Sequence, residues 1–196
     1  MIHTFKQGTI KKVLIGLHGT GGNEVDFMHF AERIDSKASI LSIRGNVSEH
    51  GMNRFFKRFG MGLYDLESYE EETANLANAI KDLSNKYNFD LVDATLVGFS
   101  NGANIALGLL QDYPNLLNNY MLLSPDYINP LKGFKDLTNK NIFISTAKND
   151  PYSNFDKTSM MIELMEQNNA KVEVHLGHGH QIDMDVLNNL IKWFNN

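Results

Sequence analysis

VGFSNGAN, residues Val97 to Asn104, places Ser100 midway between Gly98 and Gly102, directly after an apolar run and directly before a helical pattern. A sharp strand-to-helix turn with a serine at its apex needs small neighbours, which the two glycines supply. The start of a helix at Asn101 would direct backbone N–H groups towards the serine. The stretch therefore predicts a nucleophile elbow, the turn that presents a reactive serine at the end of a sheet. A tight turn that contains an unreactive serine is the alternative.

Six short segments along the chain look like strands, and most of them are continuous apolar runs, which are typical of a parallel sheet that is covered on both faces. They occupy residues 12–19, 38–45, 94–100, 119–125, 141–147 and 171–177. Helical patterns lie between them, and these begin near Asn23, Ser68, Asn101, Asn154 and Asp183. Because strands that alternate with helices are joined by right-handed crossovers, the sequence predicts an α/β fold with a mostly parallel central sheet and helices on both faces.

The clearest helical pattern runs from Ser68 to Tyr87, where apolar residues recur at the spacing of one helix face. Ser68 and Glu71 have the spacing of a capping box, so we expect this helix to begin at Ser68. The segment before it, residues 45–66, has no regular period. Unbroken connections of this length are usually functional or mobile.

Length and composition narrow the class of protein. The 196 residues suit a single domain that spans residues 1–196. A net charge of -5 argues against nucleic acid as a partner, because phosphate binding needs a concentrated basic surface. The absence of cysteine excludes disulfides and thiol catalysis. Since there is no apolar signal segment and no run of about 18 apolar residues, we expect a cytoplasmic protein without stable membrane association.

A reactive serine needs a base, and for this kind of turn the base is a histidine that follows the serine in the chain. Of the three histidines after Ser100, His175 lies inside a predicted strand, where a packed side chain is expected. His178 and His180 lie in the loop GHGHQ before the last helix. We predict His180 as the base, because it is nearer to that helix and is followed by a polar residue. His178 stays open as the alternative.

The acid that orients the histidine is expected in a loop between the serine and the histidine. Asp150 has this position in the loop AKNDPY, and the proline after it favours an extended backbone. Asp126, in LSPDY after the preceding strand, is the alternative. We predict Asp150, so that Ser100, Asp150 and His180 form a catalytic triad.

A second glycine-rich loop, LHGTGGNE at residues 17–24, follows the first predicted strand. Its small residues would let the backbone approach a reacting carbonyl group, and we predict an oxyanion hole formed by the N–H groups of Thr20 and Asn101. His18 is expected to brace the loop. A dinucleotide-binding loop is disfavoured, because Glu24 replaces the third glycine of that pattern and would repel a pyrophosphate. We predict no cofactor and no metal site, since no H-E-x-x-H or paired-carboxylate pattern accompanies the late histidines.

Five segments together resemble the phospholipase/carboxylesterase family of small α/β-hydrolases, which is related to the acyl-protein thioesterases. They are LHGTGGNE, RGNVSEHGMNRFFKRF, VGFSNGAN, AKNDP and GHGHQ. The chain most resembles the bacterial carboxylesterases of this family, some of which are associated with hydroquinone and quinone resistance. The resemblance covers nearly the whole chain and implies an α/β-hydrolase fold without a large cap domain. It also implies a triad of Ser100, Asp150 and His180 and an oxyanion hole at Thr20 and Asn101.

The segment 45–66 carries both apolar and basic side chains close to the predicted site. Methionine and phenylalanine beside a catalytic serine can form an adaptable acyl pocket, although they can equally cover the edge of the core. The predicted substrate-binding residues are Phe55, Phe56, Phe59 and Met61. The basic residues form either a solvated face or a site that attracts an anionic group. They are Arg54, Lys57 and Arg58.

These observations predict a serine carboxylesterase that hydrolyses short-chain or aromatic carboxylic esters through an acyl-enzyme intermediate. An acyl thioesterase or a lysophospholipase would use the same residues and is the close alternative. A catalytically silent hydrolase-fold binding module is the alternative from a different class. The expected partner is a small-molecule ester, and a homodimer is left open.

Overall fold

A seven-stranded sheet lies at the centre of the structure, a computed structural model that describes residues 1–196. In chain order the strands are β1 (His3–Lys6), β2 (Val13–Leu17), β3 (Ser39–Ile43), β4 (Val47–Glu49), β5 (Met52–Arg54), β6 (Arg58–Gly60), β7 (Leu63–Tyr64), β8 (Ala94–Phe99), β9 (Asn119–Leu123), β10 (Asn141–Thr146) and β11 (Lys171–Leu176). The order across the large sheet is β1-β3-β2-β8-β9-β10-β11. Only β1 runs antiparallel to its neighbour.

Five helices cover the two faces of this sheet. They are α1 (Glu24–Ile34), α2 (Leu66–Tyr87), α3 (Asn101–Asp112), α4 (Phe155–Gln167) and α5 (Met184–Asn195). Successive residues of β2 point to opposite faces, so that Ile15 joins a core with α2, α3 and α4, whereas Leu14 joins a second core with α1 and α5. The prediction of a mostly parallel sheet between two layers of helices is confirmed. None of the helices combines the length and the apolar composition that crossing a bilayer requires.

Three helices begin where the sequence predicts, each after a side chain that caps the free backbone N–H groups. The side-chain oxygens of Asn23, Asn154 and Asp183 accept N–H groups in the first turns of α1, α4 and α5. Such caps stabilise a helix by about 1 kcal/mol each. They also end the preceding loops at defined positions, which matters for the two loops that lead into α4 and α5.

The predicted capping box at Ser68 is wrong. Helix α2 begins two residues earlier, at Leu66, and its cap is Asp65, whose side chain accepts the N–H of Ser68 at 3.0 Å. The Ser68 hydroxyl instead accepts the N–H of Lys57 at 3.1 Å. Asp65 therefore caps the helix from a position three residues before Ser68, and the Ser68 hydroxyl ties the preceding segment to the helix.

The aperiodic segment 45–66 folds as two small antiparallel hairpins. Strands β4 and β5 form the first and β6 and β7 form the second. Each strand of these hairpins is only two or three residues long. The conformation of a hairpin this short depends on its contacts with the rest of the domain more than on its own pairing. Such short irregular strands carry no readable period in the sequence.

An ion pair between a buried carboxylate and a partly exposed guanidinium links the start of α1 to the end of β3. The guanidinium of Arg44 donates to both carboxylate oxygens of Glu24, at 2.5 and 2.8 Å. Glu24 is buried, and its hydrogen bond with Arg44 lowers its pKa below the ordinary value. The depressed pKa means that the pair stabilises the fold at neutral pH and that this contribution is lost as the pH falls through the pKa of the folded state.

We therefore expect Arg44→Gln to lower the free energy of unfolding at pH 7, because the carboxylate of Glu24 loses its partner, although solvent partly screens the site. The difference from the unmodified protein should shrink below pH 4.5, the ordinary pKa of a glutamate. Urea denaturation at several pH values measures this. Lys6→Gln, which breaks the more exposed Lys6–Glu32 pair at 2.7 Å, is the control and should lower the free energy of unfolding less than Arg44→Gln does. Equal losses in both variants would contradict the assignment.

Candidate active site

Ser100 occupies a strained turn between β8 and α3. Its backbone angles are φ 52 and ψ −115, a region that non-glycine residues rarely adopt. The Ser100 N–H donates to the carbonyl of Leu123 at 2.8 Å, which ties the turn to the end of β9. This geometry lifts the hydroxyl out of the sheet edge and is the turn that the sequence predicts.

The two glycines beside Ser100 are required by close backbone contacts. A Cβ on Gly102 would lie 2.2 Å from the carbonyl oxygen of Leu17, and a Cβ on Gly98 would lie 2.6 Å from the backbone of Gly102. Neither approach is possible for a side chain. The turn can thus pack against β2 only with glycine at both positions.

Hydrogen bonds connect the three residues of the predicted triad. The Ser100 hydroxyl lies 2.8 Å from Nε2 of His180, and Nδ1 of His180 lies 2.8 and 3.0 Å from the carboxylate oxygens of Asp150. Because the carboxylate can only accept, Nδ1 carries the proton and Nε2 is free to accept from the serine. His178, the alternative base, is exposed and makes no side-chain hydrogen bond.

The Asp150 carboxylate is held by its own loop. Its Oδ1 accepts the N–H groups of Tyr152 at 2.8 Å and Ser153 at 3.1 Å, and the side chain is shielded from solvent. Asp126, the alternative acid, does not bond to His180. Its Oδ2 instead accepts the hydroxyl of Tyr64 at 2.9 Å.

Two aromatic rings flank the imidazole of His180. The ring centroids of Phe99 and Tyr152 lie 5.1 and 5.0 Å from that of His180. The loop itself is fixed where Gly179 donates its N–H to the side chain of Asn149 at 3.0 Å. These contacts restrict the imidazole to the orientation that meets Ser100. The aromatic pair could not be found from the sequence, because Phe99 ends β8 whereas Tyr152 lies in the loop after β10.

In the loop LHGTGGNE, the backbone N–H of Thr20 is not hydrogen-bonded within the protein. Gly21 donates to the carbonyl of Asn53 at 2.9 Å and Gly22 to that of Gly19 at 3.1 Å, whereas the N–H of Thr20 has no partner in the protein. Asn101 is the first residue of α3, so its N–H lies outside the hydrogen-bond ladder of the helix. Thr20 and Asn101 line the same cleft as Ser100. The geometry permits an oxyanion hole at these two groups.

His18 and the first hairpin hold this loop in place. The His18 ring donates from Nδ1 to the carbonyl of Gly19 at 2.7 Å and accepts the N–H of Gly45 at Nε2, at 3.1 Å. Burial lowers its pKa, which favours the neutral ring that this bonding needs. The side chain of Arg54 donates to the Thr20 hydroxyl at 2.7 Å, so the hairpin contacts the residue that carries the free N–H.

The cleft beside Ser100 has a volume of about 380 Å³ and a mixed polar and apolar lining. Its lining residues are Gly19, Thr20, Met52, Arg54, Arg58, Met61, Gly62, Tyr64, Phe99, Ser100, Asn101, Asn104, Ser124, Asp126, Tyr152 and His180. The sequence prediction of a phenylalanine-lined pocket therefore needs correction, because of its four residues only Met61 lies there. Sequence reasoning missed Tyr64, Phe99 and Tyr152, which come from three separate parts of the chain.

The four predicted pocket residues have three different environments. Phe55 and Phe56 are fully buried in the core, Phe55 against the ring of His18 and Phe56 edge-on to Tyr69. Both side chains pack into the core, because the segment with its short strands covers the core at this point. Phe59 is 79% exposed and does not line the cleft. The prediction that Phe55, Phe56 and Phe59 bind substrate is therefore wrong, and Met61 is retained.

Known proteins resemble this chain over almost its full length. "Putative hydrolase MhqD" of Bacillus subtilis strain 168 is 33% identical, covering 99% of this chain and 98% of its own. A carboxylesterase of Bacillus cereus shares 38% identity with a TM-score of 0.94, over 98% of this chain and 92% of that chain. The structure of YahD with malic acid shares 30% identity with a TM-score of 0.92, over 99% and 98%. No family model matches the chain. The fold is the expected α/β-hydrolase fold.

We expect Phe56→Ala to lower the free energy of unfolding by about 3–5 kcal/mol, because it leaves a cavity in a packed interior. Met61→Ala removes a side chain that is 72% exposed and should change stability by less than about 0.5 kcal/mol. Denaturation in urea, with the slope checked for two-state behaviour, measures both. A loss below about 1 kcal/mol for Phe56→Ala would show that the segment does not cover the core.

Proposed function

Because the chain belongs to the phospholipase/carboxylesterase family of small α/β-hydrolases, we propose that it is a serine carboxylesterase acting on short-chain or aromatic carboxylic esters. The observation that carries the proposal is the unbroken line of hydrogen bonds from the Ser100 hydroxyl through His180 to Asp150. Removing a proton from a serine requires a base at this distance and in this tautomer.

In the acylation step, Nε2 of His180 accepts the hydroxyl proton while Oγ of Ser100 attacks the carbonyl carbon of the ester. The carbonyl oxygen gains the negative charge and is bound by the N–H groups of Thr20 and Asn101. Asp150 stabilises the imidazolium that forms. His180 then gives its proton to the departing alkoxide, and the alcohol leaves an acyl group on Ser100.

Hydrolysis of the acyl-enzyme repeats these steps with water. Nε2 of His180 accepts a proton from the water as its oxygen attacks the acyl carbon, and the same two N–H groups bind the oxyanion. The proton returns to Oγ of Ser100 as the bond to the acyl group breaks. A carboxylic acid is released and the serine is regenerated.

The cleft supports short rather than long acyl groups. A volume of about 380 Å³ lies near the lower end of the range for small-molecule sites. Its two methionine side chains, Met52 and Met61, and the ring of Phe99 give limited apolar contact. The YahD structure holds malic acid, a short polar acid, in keeping with small substrates. A lysophospholipase would need a longer apolar surface, and a panel of oxygen esters, thioesters and lysophospholipids separates the three activities.

Ser100→Ala should lower kcat by up to about 10⁶ because it removes the nucleophile. Labelling by a fluorophosphonate probe should disappear in the same variant, while the melting temperature is kept. An unmodified protein that neither reacts with the probe nor hydrolyses any ester in the panel would mean a catalytically silent binding module. An alanine variant that keeps more than a few percent of the turnover would exclude Ser100 as the nucleophile.

Paired variants test the other two members of the proposed triad. Asp150→Asn should lower the acylation rate by up to about 10⁴, because the amide no longer favours the tautomer with a free Nε2. Asp126→Asn should change that rate by less than about tenfold. His180→Ala should abolish turnover, whereas His178→Ala should leave most of it. Stopped-flow measurement with a nitrophenyl ester compares all four, and the reverse order within either pair would overturn the assignment.

A further inference from the structure

Two arginines from the segment 45–66 line the catalytic cleft. Arg54 ends β5 and Arg58 begins β6, and both share the cleft with Ser100. The Arg54 side chain is only 3% exposed, which is unusual for a charged group without a hydrogen-bonded carboxylate. Neither arginine takes part in the proposed acyl transfer. Their presence beside the reacting serine therefore calls for another role.

The charge of Arg54 is incompletely balanced within the protein. Its guanidinium donates to two neutral oxygens, the Thr20 hydroxyl at 2.7 Å and the carbonyl of Phe56 at 3.3 Å. The nearest carboxylate is that of Glu49, 3.8 Å from Nε, which is too far for a hydrogen bond. Glu49 is already bonded to Nε of Arg58 at 2.9 Å. Two guanidiniums thus share one carboxylate, and one positive charge is in surplus.

Donor atoms remain for a ligand. Nη2 of Arg54 and both Nη atoms of Arg58 make no hydrogen bond within the protein. Burial and the adjacent charge of Arg58 lower the pKa of Arg54, as expected for a cation that lacks a full partner. An anion that enters the cleft would relieve this cost, because buried charges are stable when they are paired.

The negative charge in the cleft determines where an anionic substrate group can bind. Asp126 is the only carboxylate that lines the cleft, and it bonds to the Tyr64 hydroxyl at 2.9 Å. Its Oδ1 is buried without a partner, so this part of the cleft repels a second anion and accepts a hydrogen-bond donor. An anionic substrate group is therefore directed towards the arginines and away from Asp126.

We propose that the cleft selects esters that carry a carboxylate away from the ester group, and that Arg54 and Arg58 are the specificity-determining residues that bind it. This inference rests on the proposed esterase function. Guanidinium groups match the planar carboxylate and bind it through two parallel hydrogen bonds. A monoanion also matches the single surplus charge of the Arg54, Arg58 and Glu49 group.

Matched substrates test the proposal. The monomethyl esters of malonic, succinic, glutaric and adipic acids are compared with the methyl esters in which the free carboxylate is replaced by a primary amide of the same shape. Release of acid is followed in a pH-stat at low ionic strength. For at least one chain length, kcat/KM should favour the carboxylate by about tenfold or more, and added salt should reduce this preference.

Variants in residues 45–66 test whether Arg58 is responsible for the preference for a carboxylate. Arg58→Gln should reduce the ratio of kcat/KM for the carboxylate over the amide about tenfold, which is the effect of one charge-assisted contact. Lys57→Gln removes the same charge from an exposed neighbour outside the cleft and should leave the ratio unchanged. Melting temperatures verify that both variants fold.

The outcomes of these measurements separate a failure of the carboxylate-binding proposal from a failure of the esterase function. Equal kcat/KM for carboxylates and amides at every length, in a protein that hydrolyses both, would overturn this inference and leave the esterase function intact. A preference that Lys57→Gln reduces as much as Arg58→Gln would also overturn it, since a general positive field and not a built site would then be responsible. A protein that hydrolyses no ester at all would overturn the esterase function together with this inference.

Discussion

The backbone of Ser100, held at a positive φ between β8 and α3, is the constraint on which the site depends. Such a conformation costs about 1–3 kcal/mol and persists only where the surroundings enforce it. Here they are the bond from the Ser100 N–H to Leu123 and the tight contact of Gly102 with β2. The parallel sheet keeps these partners at its carboxyl edge. The same edge carries the loops of Asp150 and His180, so one turn sets the position of the hydroxyl relative to both.

The segment 45–66 acts as a support for the oxyanion loop. The Asn53 side chain donates to the carbonyl of Gly22 at 2.9 Å, and the Phe55 N–H donates to the side chain of Asn101 at 2.7 Å. Together with the bond from Arg54 to the Thr20 hydroxyl, residues 53–55 thus contact both of the residues proposed to bind the oxyanion. Fixed donors of this kind stabilise a developing charge without reorganising during the reaction. The inward-facing phenylalanines anchor the hairpin in the core, and its arginines face the cleft.

Much of the fold follows from local signals in the sequence. Continuous apolar runs predict five of the six parallel strands, because strands buried on both faces of a sheet are mostly apolar. The sixth, β11, lies at the edge of the sheet and is mostly exposed. Asparagine and aspartate caps marked three helix starts for a similarly local reason. β1 was missed, since HTFK has no apolar run and is a strand only because β3 offers it an edge. The sequence misplaces the cap of α2, because Ser68 also has the spacing of a cap, whereas in the structure Asp65 caps the helix and Ser68 lies in its first turn.

The part of the site that depends on chain order and loop position could be predicted from the sequence. Ser100, Asp150 and His180 each follow a predicted strand, and the structure brings them within hydrogen-bond distance. The lining of the cleft was not readable. The alternation of Arg54, buried Phe55 and Phe56, and Arg58 depends on hairpin geometry that leaves no period in so short a segment.

If the Ser100 hydroxyl carries the acyl group between acylation and hydrolysis, that group can be trapped on Ser100. The protein is mixed with excess nitrophenyl acetate, quenched in acid within the first turnover, and measured by intact mass spectrometry with peptide mapping. We expect a burst of nitrophenol and the mass of one acetyl group on the peptide that contains Ser100. Steady turnover with the acetyl group on another residue would contradict this role of Ser100.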